Sequence, residues 1–106
     1  MVSIEDFNKL DLRIGKIVAV EDVENADRLY VIKVDLGGEV KQMVAGIKPW
    51  YTKEELEGKK IVVVANLDTA VIRGIESQAM LLAAQDGDKI SLITVDRDVS
   101  EGSQVK

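Results

Sequence analysis

Between Ala65 and Ala84 the sequence reads ANLDTAVIRGIESQAMLLAA, bringing an amide (Asn66), a guanidinium (Arg73), a hydroxyl (Ser77) and a thioether (Met80) into one short stretch. Together such groups can hold a phosphate, hydrogen-bond the edge of a base and press against its face. Arg73 suits bridging a phosphate or stacking on a base. Asn66 and Ser77 suit hydrogen bonds to backbone or ribose, and Met80 offers a polarizable apolar surface. Two of the four, Met80 and Asn66, also have a purely structural reading. Met80 adjoins Leu81 and Leu82 and could belong to the core, Asn66 could simply end a strand, and Ser77 has no partner that would make it a nucleophile. Arg73, beside Gly74 in a loop, has no evident structural duty.

Other chemistries find little support. The chain has neither histidine nor cysteine, so the usual proton shuttle near neutral pH is missing, along with thiolate metal sites and disulfides. Carboxylates, lysine and tyrosine alone would have to do acid–base work, and no catalytic activity, cofactor or metal is expected. Asp86-Gly87-Asp88 has the look of a calcium loop without its ligand series or closing glutamate, and reads as a turn. No apolar run is long enough to span a membrane. The acidic start, MVSIEDFNKL, does not read as a signal peptide, so a cytoplasmic protein is expected.

The net charge of −5 opposes binding to a polyanion unless the cations gather on one face. Acidic residues crowd Glu54-Glu55-Glu57 and the segment from Asp86 to Glu101, whereas Arg13, Lys16, Arg28, Lys33 and Arg73 lie elsewhere in the chain.

The elements that must position these groups are mostly short strands in a single domain, residues 1–106. Ser3 caps a short helix with Phe7 and Leu10 on one side, expected to lie as a lid over one end of the core. Leu12–Val20 alternates, with Leu12, Ile14, Val18 and Val20 on one face and Lys16 interrupting it. Leu29–Leu36 follows, with Tyr30, Ile32, Val34 and Leu36 on one face and Leu29, Val31, Lys33 and Asp35 on the other. Gly37-Gly38 predicts a two-residue hairpin into Val40–Ala45. Thr52-Lys53-Glu54-Glu55 has capping-box form, with a stop at Gly58, and Trp50-Tyr51 reads as a staple packing that helix on the barrel, with a base-stacking platform as the alternative. Ile61–Ala65 is a strand buried on both faces, and Gln78–Ala84 a fifth strand. Asp86-Gly87 turns the chain into a sixth, Ile90–Val95, and Gly102–Val105 into a final short one. The order of elements predicts an all-β fold: a five-stranded oligonucleotide-binding (OB) barrel with a short helix between strands three and four, an N-terminal short helix and a C-terminal strand extension.

Six pieces, in order, carry a family resemblance: Asp11-Leu12-Arg13-Ile14-Gly15-Lys16-Ile17, Ala26-Asp27-Arg28-Leu29-Tyr30, Val44-Ala45-Gly46-Ile47, Glu54-Glu55-Leu56-Glu57-Gly58-Lys59, Asn66-Leu67, and Arg73-Gly74-Ile75-Glu76-Ser77-Gln78-Ala79-Met80. Over nearly its whole length the chain resembles the tRNA-binding OB domains found at the C-terminus of methionyl-tRNA synthetases and as free-standing tRNA-binding proteins. The archaeal synthetase domain is the nearest likeness. By that resemblance Lys33, Asn66, Arg73, Ser77 and Met80 form the RNA-binding cluster, with Arg13, Lys16, Arg28 and Gln78 around it. The resemblance further implies a non-catalytic module that raises the tRNA affinity of an aminoacyl-tRNA synthetase, in cis or in trans, by reading shape and backbone. It implies a homodimer whose interface comes from the N-terminal helix and C-terminal strand region. Two alternatives stand beside it: a dimerisation module with weak RNA contact, and a chaperone-like, secretion-related relative of the same fold. Three places depart from the family pattern: Val23-Glu24 where His-Pro is common, Thr69 and Val71 where Pro and Lys are common, and Ala79 where Gly is common. The RNA reading expects Arg73 and Lys33 on one flank, with Ser77 and Met80 emerging there.

Overall fold

A computed structural model describes all residues, 1–106. In chain order the elements are α1 (Ile4–Phe7), β1 (Leu12–Val23), β2 (Ala26–Asp35), β3 (Val40–Ala45), α2 (Lys53–Leu56), β4 (Lys60–Val64), β5 (Ala70–Ile72), β6 (Ile75–Ser77), β7 (Met80–Leu81), β8 (Ala83–Asp86) and β9 (Lys89–Leu92). The main sheet runs β3-β2-β1-β4-β7, and two hairpins, β5-β6 and β8-β9, stand apart from its ladder. No backbone ladder joins the edge strands β3 and β7, so the sheet is not closed by strand pairing.

The core lies on one face of this sheet. Tyr30, Ile32 and Val34 of β2 point into it, followed by Leu36, with Met43 and Ala45 from β3, Ile61 and Val63 from β4, and Leu56 from α2. The alternation along β2 therefore leaves Leu29, Val31, Lys33 and Asp35 on the outer face, as the sequence predicts. Gly37 and Gly38 sit at φ 82° and 103°, the left-handed backbone that a two-residue hairpin turn demands. Ser3 and Thr52 cap their helices, and Thr52 and Glu55 complete a reciprocal capping box.

Several expectations need correction. The first strand is longer than Leu12–Val20, and a register shift between Ile17 and Ala19 breaks its alternation. The shift turns Ile17 and Val20 inward together and leaves Val18 exposed. Gly15 also faces inward, where a Cβ would stand 2.3 Å from Val34 Cγ2. Leu12 and Ile14 are buried on the opposite side of β1, in register with Val64 and Val62.

The expected fifth strand Gln78–Ala84 is not continuous. β7 pairs with β4, Leu82 donates to the Val62 carbonyl, and the chain then leaves to form β8. The sixth strand begins at Lys89 and ends at Leu92, although an isolated bridge between Thr94 and Ile61 continues its line. Val105 and Gln104 do pair with β1, through the Leu12 carbonyl and opposite Arg13. Helix α1 is not a lid: none of its residues is buried, and Ile4, Phe7 and Leu10 are 71%, 37% and 43% exposed. A single turn has too little surface to cover the core while also turning its apolar side outward.

Candidate nucleic-acid interface

The segment expected as a plain loop after Asn66 contains a hairpin. β5 and β6 pair Ala70 with Ser77 and Ile72 with Ile75, and the turn is Arg73-Gly74 at φ 54° and 77°. Both turn residues lie in the left-handed region, as a two-residue hairpin of this hand requires. Ile75 packs against Val23, Ala26 and Val31, which holds the hairpin on the outer side of β2.

Side chains join this hairpin to the free edge of β3. The Val44 N–H donates to Ser77 Oγ at 3.0 Å, and that hydroxyl donates to the Ala79 carbonyl at 3.3 Å. The Gln42 N–H donates to Gln78 Oε1 at 3.0 Å while the Gln78 N–H donates to the Gln42 carbonyl at 2.8 Å. Gln42 Nε2 donates in turn to the Glu76 carbonyl. An edge strand that would otherwise offer bare N–H groups is thereby satisfied. The expectation that Ser77 emerges at the surface is corrected: it is 7% exposed, and its hydroxyl is engaged within the chain. Gln78 is likewise occupied. Ala79, where the family commonly has glycine, is not among the residues with positive φ, so alanine is accommodated without strain.

Asn66 is also committed internally. Its Nδ2 donates to the Lys9 carbonyl at 2.7 Å and its Oδ1 accepts from the Asp11 N–H at 2.8 Å. This amide fastens the chain between α1 and β1 to the end of β4.

The cations divide into free and paired. Arg73, Arg28 and Lys33 form no ion pair. Arg73 and Arg28 line one depression of about 450 Å³ together with Asn25, Asp27, Leu29 and Gly46, so one carboxylate shares it with the two guanidiniums. The Arg28 guanidinium also lies over the Trp50 ring at 5.4 Å, within cation–π range. Lys33 sits half-buried on the outer face of β2, opposite Gln42 and Ala19, the same side on which the hairpin packs. Lys16 is exposed opposite Asp35 on that face. Arg13 lies on the other side of β1 and is held 2.8 Å from Asp11, whose hydrogen bond and charge raise its pKa. The structure thus brings Arg28 and Arg73 to one depression, leaves Lys33 on the outer face of β2 where the hairpin packs, and holds Arg13 apart in its pair with Asp11.

Met80 is 49% exposed and is not core. With Val44, Leu67, Asp68, Ala70, Ile72, Ser77 and Ala79 it lines a second, mainly apolar pocket of about 200 Å³. Trp50 and Tyr51 tie the segment before α2 to β2 and the β8-β9 hairpin: Trp50 Nε1 donates to the Asp88 carbonyl, the Tyr51 carbonyl accepts from Tyr30 Oη, and the Tyr51 hydroxyl accepts from the Leu92 N–H. Sequence reasoning missed Lys41, whose ammonium reaches the Ala65 carbonyl at 2.6 Å. It also missed Lys48, which lies over the Tyr30 ring at 5.7 Å and pairs with Asp22. The signal for Lys41 was a cation at an inward-facing position of a strand end.

Residues 12–104 match the family described as "Putative tRNA binding domain". The chain belongs to this tRNA-binding domain family. It is 56% identical over 105 residues to a protein named methionine–tRNA ligase from Pyrococcus furiosus, covering 99% of this chain and 14% of that protein. The domain therefore spans about one-seventh of the length of that relative. A crystal structure described as a MetRS-related protein from Pyrococcus horikoshii superimposes with a TM-score of 0.94 at 34% identity, over 100% of this chain and 98% of that one. A CsaA chaperone protein from Picrophilus torridus superimposes at 0.92 and 33% identity, over 100% of both chains. The likeness to methionyl-tRNA synthetases expected from the six sequence pieces is thus found independently. No helix of the domain is long and apolar enough to cross a membrane.

Proposed function

We propose that this domain is a non-catalytic tRNA-binding module of OB-barrel type that raises the tRNA affinity of an aminoacyl-tRNA synthetase, methionyl by similarity, in cis or in trans. The observation that carries this reading is the pair Arg28 and Arg73, two guanidiniums that form no ion pair, around one depression that Asp27 also lines; Lys33 lies on the outer face of β2, where the β5-β6 hairpin packs. On a chain of net charge −5, Arg28 and Arg73 would supply the local positive charge that a polyanion needs. The strand order and the side-chain seam between β3 and β6 support a barrel whose β2–β3 face is the ligand surface. The exposed apolar side of α1 supports a homodimer, which would present two such faces to one RNA. A cytoplasmic setting fits a chain without cysteine.

Titration of tRNA at increasing salt tests the reading. With about four phosphate contacts, affinity falls about a hundredfold between 50 and 200 mM salt; a flat response removes the phosphate-binding face. The likeness to a CsaA chaperone protein supports a second reading, in which the pocket beside Met80 takes apolar segments of other polypeptides. Suppression of client aggregation without any affinity for tRNA would favour it.

A further inference from the structure

The pocket at the base of the β5-β6 hairpin has a composition that phosphate binding does not use. Its walls are Val44, Leu67, Ala70, Ile72 and Met80, its polar lining consists of Asp68 and Ser77, and its volume is about 200 Å³. The Ser77 hydroxyl is already spent on Val44 and Ala79. Asp68, in contrast, has neither an ion-pair partner nor a hydrogen bond to its carboxylate. An apolar slot with one free carboxylate is suited to a flat ring whose faces are apolar and whose edge donates hydrogen bonds. A cavity of about 150 Å³ accepts one benzene ring, so this pocket matches a single aromatic heterocycle and excludes a base pair.

We propose that this pocket takes one unstacked nucleobase of the bound RNA and that Asp68 selects guanine. The inference rests on the RNA-binding reading and adds base discrimination to it. An ionised carboxylate only accepts hydrogen bonds. Guanine is the one RNA base whose pairing edge offers two adjacent donors, N1–H and N2–H, in the parallel arrangement that both carboxylate oxygens can accept. Cytosine and adenine each set a lone amino donor beside a ring-nitrogen acceptor, and uracil flanks its N3–H with two carbonyls. All three would therefore bring an acceptor against the charge. Met80 and Leu67 supply the apolar contact to the ring face, the flexible thioether adapting to its outline. Lys41, with its ammonium on the Ala65 carbonyl, puts a cation at the end of β4 from which the Asp68 loop departs.

The test uses the whole domain with labelled methionine methyl groups, titrated with the 5′-monophosphates of guanosine, adenosine, cytidine and uridine. Guanosine monophosphate should shift the Met80 methyl with an affinity about tenfold above the other three, the scale of one bidentate base contact. In Asp68→Asn that preference should vanish, because an amide replaces one acceptor by a donor. Asp68 is exposed and unpartnered, so the variant keeps its melting temperature. Equal affinity for all four nucleotides, an unmoved Met80 signal, preference retained in Asp68→Asn, or displacement of Met80 only by apolar peptides would each overturn the proposal. If salt-dependent tRNA binding persists alongside any of these, the pocket assignment alone has failed. Guanosine preference without salt-dependent tRNA binding would instead count against the module reading alone.

Discussion

Arg73 occupies a backbone conformation that does not favour it. At φ 54° an L-residue carries a penalty of roughly 1–2 kcal/mol that glycine escapes, and Arg73 forms no ion pair that would offset it. A strained, unpaired guanidinium at a hairpin tip points to a ligand. Arg73→Gly should weaken tRNA binding by about 2 kcal/mol, the scale of a charged hydrogen bond, while urea unfolding shows stability unchanged or raised by up to about 1 kcal/mol. Ser77 should behave oppositely. Ser77→Ala leaves the Val44 N–H without its acceptor, so stability should fall by about 1–3 kcal/mol in the same measurement. Any loss of RNA affinity should then follow loosening of the hairpin. These two residues mark how far the site was legible. Residue type singled out Arg73 because a guanidinium beside Gly74 had no competing structural duty, and the structure leaves it without an ion pair at the hairpin tip. Type could not announce that Ser77 and Asn66 are turned inward, because a hydroxyl or amide serves a backbone N–H as readily as a ribose. Only the fold decides which partner is near.

Strand faces were legible where alternation is strict and both neighbours are strands. β2 and β3 follow the pattern of Tyr30, Ile32 and Val34 against Leu29, Val31 and Lys33, and the Gly37-Gly38 turn fixes their register. Legibility ended where an irregularity intervened. One register shift in β1 reversed the facing of Val18, and the three-residue arms of β5 and β6 are too short to show a period. The C-terminal segment was a faint signal, yet it acts as a strap. Gly102 donates to the Ile14 carbonyl, and Lys60 Nζ is held by Asp98 at 2.6 Å with Glu101 at 3.6 Å. The Lys60 ammonium pulls the Asp98 pKa below the ordinary carboxylate range, and Asp98 raises that of Lys60. A lowered carboxylate contributes stability above its unfolded value and loses it as pH falls through the folded one. The raised lysine contributes stability that is fully present below its ordinary value and is lost only as pH rises above it. The strap's ionic contribution should therefore hold through neutral pH and disappear below about pH 4. Thermal unfolding across that range, compared between wild type and Asp98→Asn, checks this: the variant should lose less on acidification.

At the scale of the whole molecule, one small β domain with a few free cations and a net charge of −5 is a weak ligand for a polyanion. The proposed homodimer would double the face, and the exposed apolar side of α1 is where a second copy would bind. Four helical residues cannot hold a helix in isolation. Here Ser3 caps the turn and Asn66 clamps the chain that follows, so Ile4, Phe7 and Leu10 are presented to solvent in fixed positions. Holding an apolar side rigidly in water lowers the ordering cost when a second copy covers it. Phe7→Asp puts a charge into such an interface without touching the core, since α1 buries nothing within the chain. Sedimentation should then show wild type as a dimer and the variant as a monomer with an unaltered melting curve for the isolated domain. Linked sites gain about a hundredfold or more through effective concentration. The monomer should accordingly bind tRNA at least about a hundredfold more weakly, with roughly half the salt dependence, because each RNA then meets one set of phosphate contacts instead of two. A monomeric variant with undiminished affinity would mean that one face suffices, and the exposed side of α1 would then serve some other association.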